Sequence, residues 1–457
     1  MRLLPLVLLL AVVAPAAAFA QLPASGPLLP PELAAEPAQI PPGPVGTSPA
    51  DWAECVRENP VPVPAPPPGI DPRGVNPASP NPLLGQRWFV DRTEPAYTQW
   101  RKWKRTGKTE QASLIWRLAR QPRFRWFGRF TRPRMKEKVR GFLNRVQCDQ
   151  PGAVPQMAVL RAESNKCGPR YQGGGRPEDA RTREWYREFA SVIDDARVVI
   201  GFELDSLGTI DCLARHRRDD RLQLLRYGVG VLSGLPNATI YLEAGASDWE
   251  PARRTAKELR IIGIRKVRGF MLNVTHYDWT RANIRYGLDV SRRVGGKPFV
   301  ISTANNGRGP VHYRRWLDRS RGRWRRINVW CNPGLRGLGP PPTTLTAHPK
   351  VDAYLYINRP GYSAGSCNGG PLPVGEWWPA RAHGTRATRP TGWDRRRGPA
   401  TAITSGTRSR SSGRSTNQVS SCGTSRPPPG GANGGGSLAR GIGIAGGPER
   451  CSQRSRR

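Results

Sequence analysis

The chain is short of several things, and each shortage excludes a class. Its 34 acidic residues face 72 basic ones, a net charge of +38, so it is no acidic, self-solvating polymer. It has only five His, scattered singly, and no C-x-x-C pair, which argues against a structural zinc site and leaves no metal to expect. After residue 13 no run is apolar enough to cross a bilayer.

What is present begins with an export signature. Arg2 precedes an apolar run from Leu3 to Val13, and Ala18-Phe19-Ala20 forms an A-x-A cleavage site. Residues 1–20 are expected to be a signal peptide, residues 21–75 a Pro/Ala-rich linker, residues 76–380 one catalytic barrel, and residues 381–457 a disordered Arg/Gly/Ser-rich tail. The tail has the composition of a shifted reading frame of GC-rich DNA; a basic anchor for acidic polymers is the alternative. A secreted, extracellular location follows, with no membrane partner after cleavage, and the eight cysteines become disulfide material. Arginine far outnumbers lysine and is spread along the chain, so we expect no specific nucleic-acid partner. The basic stretch from about residue 94 to 147, with Trp100, Trp103 and Trp116, has the apolar spacing of outer helices.

From residue 157 to 358 short apolar runs alternate with helical patterns. The expected strands are 158–160, 197–202, 239–242, 267–272, 298–301, 326–330 and 353–357. The expected helices are 178–192, 218–232, 251–261 and 280–294. Seven strands at this spacing favour an α/β fold, a parallel sheet or barrel. The run Val198-Val199-Ile200-Gly201-Phe202 ends in Glu203, Asp205 and Ser206, and the next two runs end on Glu243 and Asn273. Strand ends that repeatedly carry acids and amides point to a carbohydrate site on the rim of a barrel.

Eight motifs in order carry a resemblance. They are Asn81-Pro82-Leu83-Leu84-Gly85, Cys167 with Tyr171-Gln172-Gly173-Gly174, Glu203-Leu204-Asp205-Ser206-Leu207 and Tyr241-Leu242-Glu243-Ala244-Gly245. Then follow Asn273-Val274-Thr275-His276-Tyr277, Asn306-Gly307-Arg308-Gly309-Pro310, Trp330-Cys331-Asn332-Pro333 and Asp352-Ala353-Tyr354-Leu355. Together they resemble glycoside hydrolase family 6, the secreted β-1,4-glucanases and cellobiohydrolases. The resemblance implies a distorted seven-stranded parallel β/α barrel and a monomer acting on cellulose or related β-glucan without a cofactor. It implies inverting acid/base hydrolysis with Asp205 as general acid and Glu203 and Glu243 as supporting acids. It also implies glucan contacts from Trp88, Trp249, Asn273, Trp330 and Arg359, and disulfides Cys167–Cys212 and Cys331–Cys367. Cys55 and Cys148 are what remains.

Departures from the family pattern bear on mechanism. Lys166 stands where an Asp is usual, Ala246 where a His is, and Tyr362 and Ala364 where the family carries Glu and its proposed base. Glu163, Asp248 and Asp352 are candidate distant acids that could act through a water chain. The alternative reading is a catalytically weak or inactive glucan-binding protein of the same fold.

Overall fold

In the computed structural model, the described residues are Cys55, 68–131, 133–162, 176–318, 323–371 and 373–384. The expected signal peptide, most of the linker and the tail beyond residue 384 lie outside them, as do Glu163, Lys166 and Cys167.

Seven strands form one parallel sheet. They are β1 Arg125–Gly128, β2 Gln156–Leu160, β3 Val198–Phe202, β4 Ala238–Glu243, β5 Gly269–Leu272, β6 Phe299–Ser302 and β9 Val351–Leu355, paired in the order β1-β2-β3-β4-β5-β6-β9. The sheet curls until its edges meet. The Phe124 N–H donates to the Tyr356 carbonyl at 3.1 Å, and the Trp126 indole donates to the Ile357 carbonyl at 2.8 Å. The fold is therefore the expected distorted barrel.

One expected strand was assigned to the wrong place. Residues 326–330 fall at the end of β8 Arg323–Asn328, which pairs antiparallel with β7 His312–Asp318 outside the barrel. The seventh barrel strand is β1, whose four residues sit at the sheet edge beside basic side chains and carry a weak hydrophobic signal.

Alternation along each strand divides the core. Val198, Ile200 and Phe202 face the outer helices, while Val199 faces the lumen with Ala158, Tyr241 and Met271. Both faces are buried, which explains the nearly unbroken apolar runs. The helices α1 Pro95–Arg105, α2 Thr109–Ala119, α3 Met135–Asp149, α4 Arg176–Ile193, α5 Arg215–Leu232, α6 Ala252–Ile262 and α7 Thr280–Arg293 each lay one apolar stripe on this body or on a neighbouring helix. The tryptophans of α1 and α2 pack together and against the body, with Trp100 and Trp116 centroids 4.3 Å apart.

The folded body extends beyond both expected boundaries. Upstream of residue 76, Arg73 donates to the Ser233 carbonyl at 2.9 Å, and the Val75 carbonyl accepts from Lys297 at 2.5 Å. Buried Arg197 and Arg268 hold the Pro82 and Gly74 carbonyls at 2.9 and 3.1 Å. Downstream, α8 Pro379–Gly384 buries Ala382. Two disulfides lie among the described residues, Cys55–Cys148 and Cys331–Cys367; the expected partner of Cys212 lies outside them. No helix among the described residues is long and apolar enough to cross a membrane.

At the seam, Glu94 is buried between both sheet edges. It accepts from Arg125 at 3.0 Å and from the Tyr362 hydroxyl at 2.5 Å, with Arg123 at 3.8 Å. Burial pushes its pKa up, but Arg123, Arg359, Arg125 and the Tyr362 bond outweigh that and hold it at about 2. The folded value lies below the ordinary 4.5, so this stability is present above pH 4.5 and is lost as pH falls toward 2. Glu94→Gln should lower unfolding free energy by about 3 kcal/mol at pH 7. Urea titrations at pH 7 and at progressively lower pH should find the gap closing; an equal gap throughout would contradict the assignment.

Candidate active site

The β3 end departs from regular strand geometry at two residues. Glu203 and Asp205 have φ of 57° and 63°, the left-handed region, flanking Leu204, whose side chain is locked in the lumen cluster. Such a conformation costs roughly 1 kcal/mol or more per non-glycine residue and needs surroundings that enforce it. Glu203 supplies them. Its carboxylate accepts the Arg161 and Ala162 N–H groups at 3.2 and 2.9 Å, the Tyr186 hydroxyl at 2.6 Å and the Ser206 hydroxyl at 3.3 Å. Burial outweighs the pull of these donors and leaves its pKa above the ordinary carboxylate value. Expected as a supporting acid, Glu203 is occupied in holding the turn.

The turn aims Asp205 across the rim. Its carboxylate accepts the Thr275 hydroxyl at 2.5 Å from the loop after β5. Burial raises its pKa, against the Thr275 bond and the pull of His276. Glu243 follows the inward parity of β4. One of its oxygens accepts the Gly245 N–H at 2.7 Å, and the other is buried without a partner. Burial and the nearby Asp205 charge raise its pKa well above the ordinary range, which suits a neutral carboxyl. Two acids in related environments are thus biased toward the protonated form.

Beside them lies an aromatic cluster. Trp249 lies against Gly208, where a Cβ would come within 2.3 Å of its ring; only glycine fits three residues after Asp205. Trp249 stacks on His276 at 4.5 Å and 15°, and Trp330 lies 6.3 Å from Trp249 and 5.3 Å from His276. His276 Nδ1 and Asp248 Oδ1 are 2.7 Å apart. Burial pushes Asp248 up, but His276 outweighs it and leaves its pKa below the ordinary carboxylate range. Trp330 is 41% exposed and begins the loop closed by Cys331–Cys367. A cavity of about 510 Å³ opens beside that loop, lined by Asn332, Leu335, Trp378 and Arg381 among others.

Other expected site residues have different tasks. Asn273 is 1% exposed, and its amide donates to the Asp278 and Ser302 carbonyls, both at 3.1 Å; it stitches the rim together. Trp88 bridges to Val154, ahead of β2, about 20 Å from that strand's C-terminal end at 3.3 Å per residue. Asp352, at the start of β9, is buried against Arg268 at 2.8 Å and Tyr241 at 2.7 Å, which excludes it as a distant base. Arg359 lies 3.7 Å over the Tyr362 ring within the Glu94 network. Ala364 is exposed, its N–H donating to Asn332 at 2.9 Å. Sequence reasoning took His276 for a packing or hydrogen-bonding residue. It does both, but its pairing with Asp248, 28 residues away, carries no local signal.

The sequence model of glycosyl hydrolases family 6 matches residues 84–383. The chain belongs to that family. Within family 6, it is 32% identical over 301 residues to endoglucanase A of Cellulomonas fimi, covering 65% of this chain and 60% of that protein's length. The endoglucanase Cel6 from Mycobacterium tuberculosis, solved with methyl-cellobiosyl-4-deoxy-4-thio-β-D-cellobioside, superposes with a TM-score of 0.58 at 32% identity. That match covers 67% of this family-6 chain and 98% of the solved one. Endoglucanase Cel6B from Humicola insolens, at 20% identity and a TM-score of 0.54, supports the fold alone; 67% of this chain and 97% of that one are covered.

The Thr275 bond generates a pH prediction. The hydroxyl stabilises ionised Asp205, so Thr275→Val should raise the Asp205 pKa. If Asp205 must be protonated for turnover, the alkaline limb of kcat against pH moves up; an unmoved limb would separate Thr275 from the titration.

Proposed function

We propose that this family-6 chain is a secreted glycosidase that hydrolyses β-1,4-glucosidic bonds in cellulose or a related β-glucan with inversion. The observation that carries the reading is Asp205: a half-shielded carboxyl on an enforced left-handed turn, raised in pKa by burial, next to an aromatic cluster. The endoglucanase relatives support the substrate class, and the export signature of residues 1–20 supports secretion.

In the proposed reaction, Asp205 donates its proton to the glycosidic oxygen as the C1–O bond breaks. Water attacks C1 from the opposite face, and its proton passes to a carboxylate. Neutral Glu243 adds no negative charge that would oppose ionisation of Asp205. Of the candidate distant acids, Asp352 is committed to Arg268 and Glu163 lies outside the described residues. Asp248 is on the rim, held ionised by His276, and we assign it the water's proton through an intervening water.

One observation favours the weaker reading, a glucan-binding protein with little turnover. Ala364 leaves the loop tied by Cys331–Cys367 without a carboxylate at that position. Reducing-sugar release from soluble β-1,4-glucan decides between the two. Asp205→Asn should lower kcat by at least about 10³-fold while cello-oligosaccharide binding persists. Normal turnover by that variant would overturn the acid assignment, and no turnover by the parent with binding retained would favour the binding protein. Asp248→Asn should lower kcat about 10²-fold at nearly constant KM. An unchanged kcat would remove Asp248 from the mechanism.

A further inference from the structure

The motif Asn306-Gly307-Arg308-Gly309-Pro310 contributes no group to the chemistry above. Its geometry gives it another task, holding Trp279. This tryptophan stands at the start of α7, on the rim after β5, and is 49% exposed. Its ring lies against Gly309 so closely that a Cβ there would come within 2.2 Å of the indole. Gly309 also has φ of 65°, so glycine is required twice over. The turn is clamped from beneath: Gly307 and Arg308 N–H donate to the Gly337 and Arg336 carbonyls at 3.2 and 2.7 Å, and Arg336 returns a bond to the Gly309 carbonyl at 3.0 Å.

The backbone at Trp279 is held as firmly as its ring. Side-chain amides of Asn273, Asn306 and Asn283 converge on the Asp278 carbonyl at 3.1, 3.0 and 3.3 Å. The Trp279 N–H donates to the Asp278 carboxylate at 2.8 Å, whose other oxygen accepts the Ser247 hydroxyl at 2.5 Å. Ser247 lies two residues before Trp249, so Trp279 is tied directly to the loop that carries the aromatic cluster. A large indole, half open to solvent on a scaffold of three amides and a close-approach glycine, is more construction than burial of that ring requires. Rigid presentation removes the ordering cost that a flexible aromatic would incur on binding. The C–H face of a pyranose is the apolar, planar surface that such a ring takes.

We propose that Trp279 is a distal glucan-stacking subsite, outside the Trp249–Trp330 cluster, engaged by longer chains and not by short ones. This rests on the glucan reading above. The test uses the full chain in the Asp205→Asn background, so that ligand is not consumed, and measures Kd for cellotriose, cellohexaose and neutral hydroxyethylcellulose. Trp279→Ala should weaken cellohexaose and hydroxyethylcellulose about tenfold, leave cellotriose within about twofold, and keep the parent's thermal midpoint. Trp279→Tyr should retain most of the affinity. Gly309→Ala, which displaces the ring without removing it, should give the same length-dependent loss. If Trp279→Ala binds all three ligands like the parent, the subsite is wrong while the glucan reading stands. An equal loss for short and long ligands would make Trp279 a support for the central site and overturn the subsite. If the parent binds none of them, both readings fail.

Discussion

The buried Glu203 carboxylate is the interaction on which the site depends. It gathers two backbone N–H groups after β2, a hydroxyl from α4 and another from its own turn. Those donors hold an acceptor in a place where an unsatisfied one would be expensive. In return they enforce two left-handed residues, Glu203 and Asp205, with Leu204 locked in the lumen between them. The consequence is orientation: Asp205 projects across the rim to Thr275 instead of continuing the alternation of β3. Everything proposed for Asp205 depends on that turn.

The same economy of acids recurs elsewhere in a very basic chain. Glu94 and Asp352 are buried against arginines at the seam and at the start of β9. Arg197, which lies among carbonyls and Thr239, has its pKa lowered by burial to about 10. Buried cations here serve the chain by binding carbonyl groups of residues 73–82, which carry no regular hydrogen-bond ladder of their own. High net charge thus coexists with an interior whose charges are mostly satisfied.

Much of the fold was legible because parallel strands buried on both faces leave apolar runs that no other element imitates at that length. β3, β4, β5 and β6, and the helices after the first three of them, fall where the pattern puts them. β1 was not legible: four edge residues among arginines give little periodic signal, and the alternating residues of β8 outcompeted them. In the site, the motif residues Asp205, Glu243, Trp249 and Trp330 are brought together, through Thr275, Gly208 and His276. Trp88 lies ahead of β2, at the far end of that strand from the rim, and the Asn273 amide is already bonded to two carbonyls; residue type and motif context carry neither fact.

By itself the sequence determined the class of fold, the order of its elements and the strand end that carries the acids, since these follow from periodicity and local spacing. Only the tertiary structure decided which partners each acid has. Glu203 and Asp352 are consumed mainly by donors 17 to 111 residues away, while Asp248 is held at the rim by a histidine 28 residues on. A carboxylate's protonation and availability depend on burial and on partners in space, and neither is written in its neighbours along the chain. Why Gly309 is glycine is likewise settled only when the indole of Trp279 is seen lying against it.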